Sequence, residues 1–355
     1  MFSIHMLPAL FGDCLWVDYG KASDPKVILI DAGTAGTWKP LRKKTEDRIK
    51  ESGNRLEIEL FVVTHVDRDH IGGAVKFLAE LHTLDVTVKE LWFNGWHHLN
   101  RSIPPLKKDG LGAKDGEELM ALLVDSPVVA WNGRFGRKAA VVPDAGPLPS
   151  FEVEGMVITL LSPNQAKLDA LVPEWLDELA KAKLMPGEAY VVKPPSDVLG
   201  KLPVQVLAGH PFEIDTAAAN GSSIAFLATY EGKTVLFGAD AHPDILVRNL
   251  ARVDPSLLAG GIAALKMSHH GSKGNTNDEL VRMLSATHYL VSTNGSIFGH
   301  PDDQAIARVL TLGPKGMQLH FNYREATNSR WAEEQAALKF KAHYGNDAEG
   351  LTVTL

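Results

Sequence analysis

The sequence predicts an α/β protein in which strands alternate with helices and the functional residues follow the strands. First, short runs of β-branched and other apolar residues alternate with segments of helical periodicity. Second, a dense group of histidines and aspartates, residues 65–70, comes directly after one such run. Third, later strands also end in side chains that can bind metals. Because ligands in layered α/β proteins bind at the carboxyl ends of strands, these residues are expected to meet at one edge.

Composition and charge limit what this chain of 355 residues can be. It is 45% hydrophobic, enough for a large core, and its net charge of −7 gives no electrostatic reason for non-specific binding to nucleic acid. The single Cys14 excludes an intrachain disulfide and fits a reducing compartment. No basic and apolar leader opens the chain, and no apolar run is long enough to span a bilayer. The sequence therefore predicts a cytoplasmic protein without a membrane segment.

Elements in the first part of the chain are predicted from apolar periodicity. Strands are expected at residues 15–19, 27–30, 58–63 and 86–93. Helices are expected at residues 46–51, from about residue 71 onwards, and at residues 117–123. Proline and glycine interrupt much of residues 95–220, which is predicted to be an insertion that could bind a partner protein.

The second part of the chain shows a more regular alternation. Strands are expected within residues 151–161 and at residues 222–229, 233–237, 262–267, 288–292, 318–323 and 351–355. Helices are expected at residues 165–183, 302–312 and 331–343.

The group after the strand at residues 58–63 reads Thr64-His65-Val66-Asp67-Arg68-Asp69-His70-Ile71-Gly72-Gly73. His65 and Asp67 lie two residues apart, so an extended chain points both the same way. Asp69 and His70 then turn toward a second position. This arrangement of imidazoles and carboxylates favours two adjacent metal ions over one. The alternative is a solvated charged loop.

Further candidate ligands follow other predicted strands. Asp240 ends a hairpin strand, His269 and His270 follow the next strand, and His300 lies in the loop after a fourth. Each is weak evidence alone, but together they favour one site at the strand ends.

The segment His65-Val66-Asp67-Arg68-Asp69-His70 resembles the signature of metallo-β-lactamase-fold hydrolases, in the version where aspartate replaces the second histidine. That version is similar to the hydrolase domain of ComEC-type competence proteins. The resemblance runs from Gly12-Asp13 to residues 350–354. Its sharpest later segments are Ser268-His269-His270-Gly271-Ser272 and Gly299-His300-Pro301. It implies a four-layer αβ/βα sandwich, in a single domain over residues 1–355. It also implies that Asp31, which closes an early strand, supports the metal loop, and the alternative for Asp31 is an Asx turn.

Position by position, the resemblance implies two divalent metal ions that share one carboxylate. One ion would be bound by His65 and Asp67, the other by Asp69, His70 and either His269 or His270, and Asp240 would bridge the two. Many family members have histidine where this chain has Asp67 and Asn220. Oxygen donors there make the first site harder, which favours manganese, or magnesium, over zinc.

The predicted chemistry follows from the ions. Two divalent cations sharing a water lower its pKa, so hydroxide is available as nucleophile at neutral pH. Asp69, Asp240 and His300 are expected to be catalytic. His300 would hydrogen-bond a phosphate oxygen or protonate the leaving group, with Ser292 and Asn294 on the same phosphate, and the alternative for His300 is a structural role.

The sequence favours a phosphodiesterase or nuclease acting on nucleic acid or a nucleotide, because of the resemblance and the harder ligand set. Two alternatives remain open. One is hydrolysis of another ester, amide or thioester. The other is a metal-stabilised binding module in a defence or competence system.

Overall fold

Two mixed β-sheets face each other, and helices cover their outer surfaces. The computed structural model describes residues 1–53, 55–99, 114–124, 130–182 and 202–355. In these ranges the strands are β1 (Phe2–Met6), β2 (Leu15–Lys21), β3 (Asp24–Ile30), β4 (Leu56–Ile58), β5 (Leu60–Val62), β6 (Val86–Val88), β7 (Glu90–Trp92), β8 (Ala130–Trp131), β9 (Ser150–Val153), β10 (Met156–Ser162), β11 (Ala225–Tyr230), β12 (Lys233–Phe237), β13 (Ala264–Lys266), β14 (His288–Val291), β15 (Gln318–Phe321), β16 (Lys341–Tyr344) and β17 (Leu351–Thr354).

The helices connect these strands and pack on their outer faces. In the described ranges they are α1 (Trp38–Glu51), α2 (Arg68–Leu84), α3 (Trp96–Leu99), α4 (Lys114–Val124), α5 (Gln165–Ala182), α6 (Val204–Ala208), α7 (Ala218–Gly221), α8 (Pro243–Leu250), α9 (Asp278–Leu284), α10 (Asp303–Leu312) and α11 (Arg330–Leu338). Among the described residues, no helix combines the length and the apolar character needed to cross a membrane.

The strand order brings the parallel strands of both sheets together. The first sheet runs β17-β1-β2-β3-β5-β7-β8, and the second runs β16-β15-β14-β13-β12-β11-β10-β9. β3, β5, β7 and β8 are mutually parallel, as are β12 to β16. The loops after parallel strands leave a sheet at the same edge, so this order gathers the predicted site residues.

Three apolar cores separate the four layers. Val17 and Leu290 lie in the middle core, between the two sheets. Phe61 of β5 meets Phe77 of α2 edge to face, with ring centroids 5.6 Å apart, in the core between the first sheet and its helices. Trp331 of α11 is fully buried in the core outside the second sheet. The predicted α/β fold and its four layers are confirmed.

Several element boundaries differ from the sequence expectation. Three strands, not two, lie before residue 31, because β1 forms by pairing with β17 at the far end of the chain. Helix α1 begins at Trp38 rather than residue 46, in a segment that buries only Leu41 and Thr45 and so has a weak apolar stripe. The last predicted helix ends at Leu338, because Lys339 adopts a left-handed backbone and β16 then joins β15.

Part of the range 95–220, predicted as an insertion, belongs to the sandwich. β8 extends the first sheet, and β9 and β10 extend the second. Trp175 of α5 is buried in the outer core beside Trp96. The apolar side chains of these segments recur at the spacing of a strand or a helix, so each element can bury them in the cores. The remainder, residues 100–113, 125–129 and 183–201, lies outside the described residues.

Candidate metal centre

The candidate ligands meet where β3, β5, β12 and β13 end. Helix α2 begins at Arg68, directly after an extended Asp67, so the turn from strand to helix separates Asp67 from Asp69 and His70. A side chain at Gly73 in α2 would place its Cβ 2.0 Å from the carbonyl oxygen of Ala32. The glycine therefore lets α2 lie against the loop after β3 and fixes the metal loop beside it.

Asp240 lies at the centre of four imidazoles. Its Oδ2 is 3.4 to 3.9 Å from one Nε2 atom of each: 3.9 Å for His65, 3.4 Å for His70, 3.9 Å for His269 and 3.8 Å for His270. Four nitrogen donors around one carboxylate oxygen, at separations seen between ligands of a shared cation, form a compact donor cage.

Several of these donor atoms have no hydrogen-bond partner although they are buried. They are the Nε2 atoms of His65, His70 and His270 and the Oδ1 of Asp240. Leaving a buried polar atom unpaired costs about 1–3 kcal/mol each. A group of such atoms pointing at one another fits cations between them, so the residues present fit the metal ions that the sequence predicts.

The opposite nitrogen of each imidazole is held in place. Nδ1 of His70 lies 2.8 Å from Asp31 Oδ2, and Nδ1 of His270 lies 2.8 Å from the carbonyl oxygen of Ser292. Both partners can only accept, so Nδ1 carries a proton, and Nε2 is the nitrogen left to bind a proton or a metal ion in the cage.

Thr64 holds the Nδ1 side of the His65 imidazole in a similar way. Its hydroxyl proton is donated to Asp31 Oδ2 at 2.8 Å, so toward His65 Nδ1, 3.0 Å away, the hydroxyl oxygen accepts. The amide N–H of Thr64 donates to Asp31 Oδ1. Asp31 therefore connects to both His65 and His70, and of its two predicted roles the contacts match support of the metal loop.

His269 is held by a separate outer ring of residues. Its Nδ1 lies 3.1 Å from Asn275 Oδ1 and 3.3 Å from Asp215 Oδ2. Asn220, which stands where many family members have a histidine, donates to Asp215 Oδ2 at 2.7 Å. In the described contacts its Nδ2 therefore supports the ring behind His269 rather than facing Asp240.

Two groups of candidate ligands share Asp240. The first group is His65 and Asp67, with Nε2 and Oδ2 3.4 Å apart. The second group is Asp69, His70 and His270, in which Asp69 Oδ2 lies 3.8 Å from His70 Nε2 and 3.3 Å from His270 Nε2. The side chain of Asp67 is 41% exposed and that of Asp69 is 10% exposed, so the first group is the more open.

Charge within the cage attracts cations. Burial opposes ionisation of Asp240, but the imidazoles of His70 and His270 hold the pKa of its carboxyl well below the usual range. Burial likewise opposes protonation of His270, yet Asp240 and Asp13 raise the pKa of this imidazole to about 9. Asp240, Asp31 and Asp69 also raise the pKa of His70 well above its ordinary value. Without a metal the cage therefore binds protons, which a metal ion must displace.

Sequence reasoning missed a buried ion pair behind the second group. Lys266 Nζ donates to Asp13 Oδ2 at 2.5 Å, and both side chains are almost fully buried. Asp13, His70 and His270 form a second set of atoms close enough to hold a cation. The ammonium of Lys266 already supplies positive charge there. A lysine within the apolar run at residues 262–267 was the available signal.

Other predicted residues differ in where they lie. His300 is buried beside the centre, with its ring centroid 5.0 Å from that of His269, and burial lowers the pKa of its imidazole. Ser292 is fully buried and its hydroxyl donates to the carbonyl oxygen of Gly12, so its expected contact with phosphate is wrong.

Comparison with known proteins places this geometry in a family. Residues 7–295 match the family model described as the metallo-beta-lactamase superfamily. A stretch of 73 residues is 34% identical to the coenzyme F420H(2) oxidase of Methanothermobacter thermautotrophicus, covering 19% of this chain and 18% of that protein. The chain therefore spans less than a fifth of this relative.

The solved structures to which the chain is similar are distant in sequence. The metallo-beta-lactamase fold protein YhfI from Bacillus subtilis is 11% identical, with a TM-score of 0.45 and all of both chains covered. CmlA, a diiron beta-hydroxylase from Streptomyces venezuelae, is also 11% identical, with a TM-score of 0.42 over 99% of this chain and 54% of CmlA.

Proposed function

The chain belongs to the metallo-β-lactamase superfamily, and on that premise we propose that it is a dinuclear metal-dependent phosphodiesterase acting on nucleic acid or a nucleotide. Members of the superfamily are typically dinuclear metal hydrolases or oxidases. One observation carries the proposal: four imidazoles converge on the carboxylate of Asp240 with their Nε2 atoms unpaired or facing the cage.

We assign the two groups to two metal ions. His65 and Asp67 would hold the first ion, Asp69, His70 and His270 the second, and Asp240 would contact both. The 3.3 Å between Asp69 Oδ2 and His270 Nε2 supports His270 in the second group. We assign His269, whose Nε2 is 3.9 Å from Asp240 Oδ2, to the first group.

Two divalent ions, when bound, would acidify a water and neutralise charge on a phosphoryl oxygen. The protein residues then have defined tasks. Asp31, Thr64 and the carbonyl of Ser292 keep the imidazole lone pairs turned into the cage. His300, buried beside His269 with a lowered pKa, would hydrogen-bond a phosphate oxygen or pass a proton to the leaving group.

The preference for a phosphodiester rests on the resemblance to ComEC-type proteins and on the harder donors that replace imidazoles in the first group. Asp67 and the absence of an imidazole at position 220 make the first group harder, which suits manganese or magnesium more than zinc. The same two differences from the common family pattern support placing the chain with the hydrolase domains of ComEC-type proteins. We keep two further proposals with it: a cytoplasmic location, and a partner protein that contacts residues in the range 95–220.

The test is hydrolysis by protein stripped of metal and reloaded with manganese, magnesium or zinc. Substrates are a generic phosphodiester, single-stranded DNA, and ester, amide and thioester analogues. We expect phosphodiester hydrolysis, fastest with manganese. Asp24→Asn, a change at an exposed carboxylate on β3, serves as the control and should keep full activity. Turnover of only an ester, amide or thioester would contradict the proposed substrate class, and no turnover with retained metal would favour a binding module.

A further inference from the structure

We propose that the buried pair Lys266–Asp13 is a positioning device for the second metal ion, and that it is not merely a structural ion pair. The inference rests on the proposed two-metal centre and adds two residues to it. Neither Lys266 nor Asp13 contacts the ligand atoms that face Asp240. Each acts through Asp69 and His270, two members of the second group that follow strands of different sheets.

The pair joins the two sheets behind the cage. Lys266 is the last residue of β13 in the second sheet, and Asp13 lies in the loop before β2 in the first. Lys266 Nζ lies 2.5 Å from Asp13 Oδ2 and 3.1 Å from the carbonyl oxygen of Met267. The exposed fraction of the side chain is 0% for Lys266 and 1% for Asp13. Such an arrangement fixes both partners, because neither buried charge can be solvated by water instead.

Asp13 contacts two ligands of the second group, Asp69 and His270. Its Oδ1 is 3.4 Å from Nδ1 of His270, and its amide N–H donates to the carbonyl oxygen of Asp69 at 3.2 Å. The neighbouring Gly12 lies so close that a Cβ there would be 1.8 Å from the same Asp69 oxygen. The Asp13 loop therefore sets where Asp69 stands relative to His270.

Lys266 makes this placement possible. Without its ammonium, the Asp13 carboxylate would be buried with only the edge of the His270 imidazole beside it, and its loop would have to move toward water. A shift of that loop would change the 3.3 Å separation between Asp69 Oδ2 and His270 Nε2. In the first group, His65 is held by Thr64, and among the described residues that group has no contact with the pair.

A purely structural pair would behave differently when both charges are removed. Breaking a buried ion pair by removing one partner commonly destabilises a protein by several kcal/mol, whereas replacing both partners by neutral groups is often tolerated. If the pair only stabilises the fold, the doubly neutral protein should regain its metal affinity together with its stability. If the pair positions ligands, stability and metal affinity should separate.

The experiment compares Lys266→Met, Asp13→Asn and the double variant with wild type. Calorimetric titration of metal-free protein with Mn²⁺ gives the number of ions and each dissociation constant. Urea unfolding of the metal-free proteins gives stability. The control pair is Arg48–Asp18, 3.2 Å apart with each side chain 12% exposed, which links α1 to β2. Its doubly neutral variant, Arg48→Met with Asp18→Asn, should bind both ions as wild type does.

We expect the double Lys266→Met, Asp13→Asn variant to recover most of the stability lost in either single variant. Its affinity for one ion should stay reduced by about tenfold or more, the scale of lost outer-sphere support, and its affinity for the other should change by less than about twofold. Wild-type affinity for both ions in the double variant would overturn the inference.

Two further outcomes are distinguishable. If the neutral variants do not fold, Lys266→Arg is tested instead, because it keeps the positive charge but moves the hydrogen-bond donor. A selective loss of affinity for one ion in this variant supports positioning, and unchanged affinities for both ions contradict it. If wild type itself binds fewer than two ions, the proposed dinuclear centre fails, and the inference fails with it for that separate reason.

Discussion

The four imidazoles around Asp240 and three imidazoles on β14, β15 and β16 share a residue type but differ in their surroundings. In the second cluster, which we call the ladder, His288 Nδ1 lies 2.9 Å from His320 Nε2. The rings of His320 and His343 stack with centroids 4.7 Å apart, and His343 Nε2 lies 2.9 Å from the side-chain oxygen of Gln318. The ladder nitrogens thus pair with one another and with an amide.

Protonation separates the two clusters. Asp240 and its neighbours raise the pKa values of His70 and His270, as described above. In the ladder, burial and then the adjacent His288 and His343 lower the pKa of His320 to about 3. No carboxylate in the described part of the chain forms an ion pair with a ladder imidazole. The comparison indicates what a group of histidines alone lacks: a central carboxylate and oriented, unpaired Nε2 atoms distinguish the cage from the ladder.

The largest effect is expected from the central carboxylate. Asp240→Asn keeps the volume of the side chain but removes the charge on which four imidazoles converge. Hydrolysis should fall almost completely while the far-UV circular dichroism spectrum stays native. A residual rate above about a tenth of wild type, roughly 1.4 kcal/mol of barrier, would contradict the placement of Asp240 between the ions.

A smaller loss is expected from the support behind the imidazoles. Asp31→Ala removes the acceptor for His70 Nδ1 and for the Thr64 hydroxyl. Metal affinity should fall by about 10- to 100-fold, the usual scale for such partners. Gln318→Ala is the matched control, because it removes the corresponding partner from the ladder. Titration with Mn²⁺ should show wild-type affinity in Gln318→Ala, and a similar loss in both variants would remove the distinction between the clusters.

The identity of the metal should depend on the open first group. Asp67→His places an imidazole where this chain has an exposed carboxylate, and imidazole suits zinc while carboxylate suits manganese and magnesium. The ratio of manganese-supported to zinc-supported activity should therefore fall in Asp67→His. Both proteins would be stripped and reloaded with each metal in turn. An unchanged ratio would mean that Asp67 does not bind the first ion.

The smallest effect is expected at the ladder, as a change in how the stability of the protein depends on pH. The pKa of His320 is lowered in the folded protein, so the unfolded chain binds the extra proton between pH 6.5 and about 3. Stability from the neutral ring is thus present above pH 6.5 and is lost as the pH falls toward 3. His320→Phe should reduce this loss by about 1 kcal/mol or more. Urea unfolding at two pH values measures it, and an unchanged pH dependence would contradict the lowered pKa.

The sequence predicted the parts of the centre that are local in the chain. His65, Asp67, Asp69 and His70 lie within six residues after one strand, so their spacing alone indicates a site. Asp240 needed the family resemblance, because an aspartate after a strand is common. Both predictions depend on patterns that a single segment carries.

The supporting residues could not be predicted in the same way. Asp13 and Lys266 come from different sheets and meet only when the sandwich closes. Asp215 reaches His269 from a segment with no regular periodicity. Similarly, β1 is defined by β17, its partner at the other end of the chain. These features depend on tertiary contacts, for which a short stretch of sequence contains no signal.

The most direct test of the account is the number and location of the bound ions. Metal-free wild type, Asp240→Asn and His320→Phe would be titrated with Mn²⁺, with calorimetry to count ions and electron paramagnetic resonance to detect spin coupling between neighbours. We predict two coupled ions per chain in wild type and in His320→Phe, and loss of the coupled pair in Asp240→Asn. A single ion in wild type, or a coupled pair that persists in Asp240→Asn, would contradict a dinuclear centre built around Asp240.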